Sequence, residues 1–260
     1  MSLLEIQTDG AVTHIKMAMP KRLNALSDAM LAALQSTLTD IGANPDIRVV
    51  ILSGKGKAFC AGHDLKEMQA GRDNPDGGAA YFKDLFDRCT TVMQTIQSIP
   101  QPVIAMPHGI ATAAGCQLVA TCDMAVAAEG TRFGVNGVNI GLFCSTPMVA
   151  LTRNIHRKAA FEMLSTGKFV TTNEALRIGL INRIAPADQL LDLTMELAQN
   201  VASKLGSAVR IGKSLFYEQA GLPTEQAYAL AGQAMVENML LRDTDEGINA
   251  FLDKRQPDWA

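Results

Sequence analysis

The sequence predicts an α/β core followed by a helical C-terminal region, on three observations. Apolar patterns of strand and helix type alternate across residues 1–185, as in stacked βαβ-like units. Val49-Val50-Ile51-Leu52 is a short, continuous, mostly β-branched run, which is how a strand buried on both faces reads. From residue 186 onward only helical spacing remains.

The elements follow in order. Residues 11–17 alternate, with Ala11, Thr13, Ile15 and Met17 on one face and His14 and Lys16 on the other, a half-buried strand. Ser27 is placed to cap a helix whose apolar face is Met30, Leu31, Leu34, Leu38 and Ile41, with Leu26 stapled onto Leu31. Asn44-Pro45-Asp46 is a turn, and the run from Val49 to Leu52 is the next strand. Residues 81–99 carry a long amphipathic helix through Phe82, Leu85, Phe86, Cys89, Val92, Met93 and Ile96, ended by Pro100 and Pro102. Val103–Met106 is a strand, residues 114–122 a short helix and Met124–Ala128 another strand. Beyond residue 186, helices are marked by Leu190, Leu193, Leu197 and Val201, by Leu215 to Tyr217, by Met235 to Leu241, and from Asp245 towards Lys254.

Composition narrows the class. Of 260 residues 48% are hydrophobic and 19% charged, enough to bury a sizeable core without staples. The net charge of -3 and the lack of a basic stripe argue against nucleic acid as a partner. The five cysteines are odd in number and form no C-x-x-C pair, so buried, reduced thiols are expected and a zinc or disulfide framework is not. A reducing cytoplasm fits that usage, and M-S-L-L-E-I lacks the pattern of a signal peptide. The apolar stretch 103–128 is broken by Pro107, His108, Gln117 and Asp123 and is read as strand, turn, helix and strand, not a membrane span.

Several motifs fail on spacing. Gly206 to Ser214, G-S-A-V-R-I-G-K-S, has five residues where a P-loop has four between its first Gly and the Gly-Lys pair, and no strand precedes it. Gly54-Lys55-Gly56 opens like a dinucleotide fingerprint, but Phe59 stands at the third glycine. No G-x-S-x-G elbow occurs, and His14, His63, His108 and His156 lack metal-ligand spacing.

Three segments carry a signal: K-A-F-C-A-G-H-D-L-K-E-M at 57–68, P-V-I-A-M-P-H-G-I-A-T-A-A-G-C-Q-L at 102–118 and F-G-V-N-G-V-N-I-G-L-F-C-S-T-P at 133–147. T-G-K-F-V-T-T-N-E-A, G-L-I-N-R-I and A-F-L-D-K-R follow in order at 166–175, 179–184 and 250–255. Together they resemble the crotonase (enoyl-CoA hydratase/isomerase) family over nearly the whole chain. The resemblance implies an α/β crotonase spiral of repeated ββα units over residues 1–190, and a helical trimerisation region over 191–260. It implies a homotrimer or a dimer of trimers, and an acyl-CoA thioester of fatty acid metabolism as substrate. CoA is then part of the substrate, and no further cofactor or metal is expected.

The resemblance also assigns residues. Charge builds on the thioester oxygen as an enolate forms, and two backbone N–H groups aimed at it stabilise that charge. These would be the N–H of His63 and of Ala114, the latter at the start of a short helix. Arg22, Leu26, Ala61, Asp64, Leu65 and Lys66 would line the channel for adenosine and pantetheine. Phe251 and Lys254 of a neighbouring subunit would close over the nucleotide. A hydratase of the family uses two glutamates that share the attacking water; here Gln117 and Gly137 occupy those positions. Neither takes a proton, although Gln117 has hydrogen-bonding capacity for a water. Binding with weak or absent hydratase activity is therefore expected. His63, Asp64, Cys144 and Ser145 are the candidates to replace the glutamates. Ser145 reads equally as the N-cap of a helix beginning T-P-M-V-A-L; Cys144 reads either as a nucleophile, without an obvious base but with a helix N-terminus to lower its pKa, or as a packed thiol.

Overall fold

A computed structural model describes residues 2–259. Its main sheet has six strands in the order β1-β2-β3-β4-β6-β8: β1 (Leu4–Asp9), β2 (Val12–Met17), β3 (Val49–Gly54), β4 (Val103–Met106), β6 (Met124–Ala128) and β8 (Arg183–Ala185). Only the β1–β2 pair is antiparallel; the pairs from β2 to β8 are parallel. A second, two-stranded parallel sheet joins β5 (Ile110–Thr112) to β7 (Arg132–Gly134). The helices between are α1 (Asp28–Gly42), α2 (Leu65–Gly71), α3 (Ala79–Ser98), α4 (Ala114–Thr121), α5 (Ser145–Asn154), α6 (Arg157–Thr166) and α7 (Thr172–Arg177). After β8 the chain is helical: α8 (Leu190–Ala202), α9 (Gly206–Gln219), α10 (Thr224–Met239) and α11 (Arg242–Leu252).

β3 shows why its run is apolar on both sides. Val50 and Leu52 belong to the large core beneath α1, α3 and α4, while Val49 and Ile51 point into a second core covered by Leu190 and Ala198 of α8. In β2 the alternation holds from Thr13 on: Thr13, Ile15 and Met17 are buried and His14 and Lys16 half-buried. Val12 on the opposite face, however, is buried in the second core, and Ala11, expected on the buried face, is half-buried and precedes the strand. Ser27 caps α1 by accepting from the Met30 N–H at 3.2 Å, a contact worth about 1 kcal/mol. α4 is buried along its whole length, which accounts for the apolar stretch around it. Among the described residues no helix is long and apolar enough to cross a membrane.

α9 is pinned to the core by a buried polar cluster. Lys213 Nζ donates to the carbonyls of Ile96 (2.7 Å) and Gln101 (2.8 Å) and to Asp123 Oδ2 (2.8 Å). Asp123 also accepts from the Val103 N–H at 2.6 Å and the Tyr217 hydroxyl at 2.7 Å. Burial lowers the Lys213 pKa, and the Asp123 carboxylate opposes that shift.

Candidate active site

The site is built where the loop after β3 meets the start of α4. Cys60 bridges to Ala111 of β5, and Leu26 bridges to His63, with the Leu26 N–H bonded to the Gly62 carbonyl at 2.7 Å. These bonds hold residues 60–63 against β5 and the first turn of α4. Gly62 sits at φ +88°, and a Cβ there would meet the Ala113 Cβ at 2.9 Å and the Thr112 carbonyl at 3.1 Å. Only glycine takes that backbone and that proximity together. Ala113, at φ 50° and ψ -121°, sets the entry into α4 although it is not glycine. Non-glycine residues held in such sparsely populated regions concentrate at functional sites. Among the described residues, neither the His63 nor the Ala114 backbone N–H has an acceptor.

Both border a cavity of about 300 Å³. Leu65, Met68, Phe86, Leu142, Phe143 and Pro147 supply apolar wall, and Asn136, bonded through Oδ1 to the Thr112 hydroxyl at 2.6 Å, supplies polar wall. No Asp, Glu, Lys or Arg lines it among the described residues. Its titratable side chains are those of His63 and Cys144.

His63 Nδ1 lies 3.3 Å from the Leu26 carbonyl, and a carbonyl only accepts. Nδ1 therefore carries the proton of the neutral ring and Nε2 carries the lone pair; Nε2 is buried without a partner. Burial holds the imidazole below the ordinary histidine range, against the Leu26 hydrogen bond, which acts to raise it. The ring meets Phe86 edge-on, 5.7 Å between centroids.

Of the residues expected at the site, the cavity gathers Ala61, His63, Leu65, Ala114, Gly137 and Ser145. Gln117 lies one turn into α4, behind the wall, 5% exposed and with Oε1 unpartnered. Leu26 is fully buried beneath the loop. Asp64 is the N-cap of α2: Oδ1 accepts from the Lys66 N–H at 2.9 Å and Oδ2 from Arg22 at 3.0 Å. With both oxygens so engaged, Asp64 sets the loop and does not face the cavity. Lys66 is exposed. Phe251 on α11 and Lys254 beyond it stand away from the cavity within the single chain, with Phe251 83% exposed.

The expected cap at Ser145 is not formed. Ser145 is the first residue of α5, Cys144 holds the cap position, and the Ser145 hydroxyl donates back to the Phe143 carbonyl at 3.3 Å. The Gly141-Leu142-Phe143 turn takes the chain into the helix one residue earlier than T-P-M suggested. Nor does α5 activate Cys144: burial raises its thiol pKa, and a bond from the Gly137 backbone offsets only part of that.

Gly137 carries the least expected geometry. A Cβ at this position would run into the Leu142 carbonyl oxygen and lie 2.8 Å from Cys144 Sγ. The loop 141–144 folds over Gly137, and the Leu142 N–H closes it on the Gly137 carbonyl at 3.0 Å. The space a side chain would take is occupied by backbone.

Known proteins share this architecture. Enoyl-CoA hydratase domain-containing protein 3, mitochondrial, of Rattus norvegicus is 46% identical over 98% of this chain and 83% of its own length. A crystal structure of an enoyl-CoA hydratase from Mycobacterium smegmatis superposes with a TM-score of 0.96 at 50% identity, over 100% of this chain and 99% of that one. The crystal structure of human enoyl-CoA hydratase domain-containing protein 3 does so with a TM-score of 0.94 at 44% identity, over 99% and 100%. These findings overturn the cytoplasmic expectation, because the rat, mouse and human relatives are mitochondrial proteins. Reduced cysteines report a reducing milieu and do not choose between compartments. The enoyl-CoA hydratase/isomerase family model matches residues 7–260, and with these relatives it establishes that the chain belongs to that family.

Proposed function

We propose that this protein binds an acyl-CoA thioester with its carbonyl oxygen between the His63 and Ala114 N–H groups, and adds water to 2-enoyl-CoA weakly or not at all. The observation that carries the reading is a cavity wall without a carboxylate, together with backbone in the place of a Gly137 side chain. Water addition in this family pattern draws on two glutamates, and one positioned acid or base contributes roughly 10²–10⁴-fold. The two N–H groups keep their ability to stabilise an oxyanion without those acids. Leu65 and Met68 of the cavity wall would line the acyl end, and Arg22 and Lys66, which lie outside the wall, would meet CoA phosphates.

A second reading rests on His63. Its neutral Nε2 is buried without a partner, and as a base it would remove a proton α to the thioester and so serve isomerase or other enolate chemistry once exposed to substrate. Calorimetric titration with crotonyl-CoA and a mass-spectrometric screen of acyl-CoA thioesters separate the readings. Binding without product supports the binder. Turnover of crotonyl-CoA at ordinary hydratase rates would sink the proposal. His63→Ala keeps the backbone N–H, so it should preserve thioester affinity within about threefold while abolishing any product that the screen detects.

Large apolar side chains exposed on α10 and α11, among them Met235, Met239, Phe251 and Leu252, support assembly into a homotrimer or paired trimers. Light scattering tests this, and a monomer at micromolar concentration would refute it.

A further inference from the structure

The cavity beside His63 and Ala114 holds one side-chain donor whose orientation is fixed and whose bonding capacity is unspent. Asn136 follows β7, opens a short 3₁₀ turn over Asn136–Ile140, is half-buried and lines the cavity. Its Oδ1 lies 2.6 Å from the Thr112 hydroxyl oxygen, the length of an O–H···O bond and shorter than an N–H···O bond. The amide oxygen therefore faces Thr112, and Nδ2 faces away. Nδ2 makes no hydrogen bond among the described residues, and it is not one of the buried polar atoms without a partner. It is an accessible group that only donates.

The sheet register sets where that donor stands. Thr112 pairs with Gly134 at the end of the parallel β5–β7 ladder, and the Ala113 N–H bonds the Gly134 carbonyl at 2.8 Å. Ala114 and Asn136 each lie two positions beyond that pair, so they leave the sheet side by side, with the strands about 4.8 Å apart. An acyl group whose thioester oxygen lies at the Ala114 N–H passes Asn136 within its first few carbons. Substitution at C3 puts a second oxygen nearest the first while leaving C2 free. We infer that Asn136 selects thioesters with a neutral carbonyl at C3, the 3-oxoacyl-CoA class. The inference rests on the thioester reading of this cavity and narrows it.

Charge and hydrogen count choose the group. Among the described residues no Lys or Arg lines the cavity, so a second carboxylate on the acyl chain would lose its water without gaining a counter-charge. A 3-hydroxyl accepts from Nδ2 but brings an O–H that needs an acceptor of its own; a 3-oxo group accepts and brings nothing further. The acceptors nearby are spent or closed: Asn136 Oδ1 is held by Thr112, and the His63 Nε2 lone pair is buried. The Thr146 hydroxyl, also in the wall, rotates to suit either group and does not choose between them. An unsubstituted chain strips water from Nδ2 and returns no acceptor to it.

The test is calorimetric titration of the full chain at pH 6, where a 3-oxo thioester is neutral, with three four-carbon probes: butyryl-CoA, 3-hydroxybutyryl-CoA and acetoacetyl-CoA. Acetoacetyl-CoA is expected to bind about tenfold tighter than butyryl-CoA, with the 3-hydroxy thioester between them. Asn136→Asp keeps an acceptor for the Thr112 hydroxyl and removes the donor; Asn136→Ala removes the whole amide. Each should cut the ratio of acetoacetyl-CoA to butyryl-CoA affinity to below about threefold. Equal affinity for those two probes, tightest binding of the 3-hydroxy thioester (the result an inverted amide would give), or a preference that survives both variants would each overturn the assignment and leave the thioester reading standing. If none of the three binds more tightly than free CoA, the thioester reading itself falls and takes the assignment with it.

Discussion

Replacing Lys213 by methionine removes the charge that pins α9 while preserving most of the side-chain stem. The Lys213 ammonium makes three bonds, and the surroundings show why each is needed. Ile96 lies in the last turn of α3, where the residue four positions on is Pro100, which has no N–H to give. Lys213 supplies the donor that the helix lacks. It also serves the Gln101 carbonyl and balances Asp123 at a site where the Lys213 side chain is 5% exposed. Removing one partner of a buried pair costs about 3–5 kcal/mol. Asp123 keeps the Val103 N–H and the Tyr217 hydroxyl, so the lower end applies, about 3 kcal/mol. For a chain of this length that is a drop in Tm of roughly 6–12 °C. Calorimetry and denaturant titration measure it, and hydrogen exchange should rise first in α9 and α10. Adding Asp123→Asn should recover part of the loss, because no unpaired charge is then buried. A loss below about 1 kcal/mol in the single variant would refute the assignment of this cluster as the clamp on the C-terminal helices.

Three further outcomes follow from local geometry. Ala113→Gly relieves a positive-φ alanine that stores on the order of 1–3 kcal/mol, against a glycine cost of about 0.5–1, so a net gain near 1 kcal/mol in denaturant stability is expected. Gly137→Glu should lose about 1–3 kcal/mol by overpacking against the Leu142 carbonyl and Cys144, and should not create hydratase activity; a folded variant that hydrates crotonyl-CoA would contradict the crowding. Burial depresses the His14 pKa to about 4, helped by Lys16, while its Nε2 bonds Ser53 Oγ at 2.6 Å. Since the folded pKa is below the unfolded value of about 6.5, the neutral ring's contribution is complete above about pH 6.5 and is lost as pH falls towards 4. Denaturation midpoints at pH 7.5, 6 and 5 should show that decline, and His14→Gln should flatten its own share of it.

Most of the core was legible because burial writes itself as periodicity. β4 and β6 have the expected limits, and α3 stops where its prolines require. β1 was not legible: it is an edge strand with only Leu4 buried, so it has no alternation to read. β5 and β7 are three residues each, shorter than any pattern, and α2 rests on the Asp64 cap and a mostly exposed face. At the candidate site, the A-G-H-D-L and A-T-A-A-G segments pointed to the backbone groups that border the cavity. The orientation of the His63 ring depends on the Leu26 carbonyl, thirty-seven positions away, and is set by tertiary contact. The blocking of Gly137 depends on the path of the loop that follows it.

The placement of α8 bears on how the chain is made. One face of the sheet, with Val49, Ile51, Ile104 and Val126, is covered by a helix that begins at Leu190. Synthesis proceeds at about 5–20 residues per second, so a nascent chain that has completed β1 to β6 must wait several seconds before that helix emerges. During the wait it presents an apolar, parallel-stranded surface to its surroundings. A product truncated before Leu190 would hold that surface open permanently, and would be a client for chaperones and proteases instead of a smaller working protein.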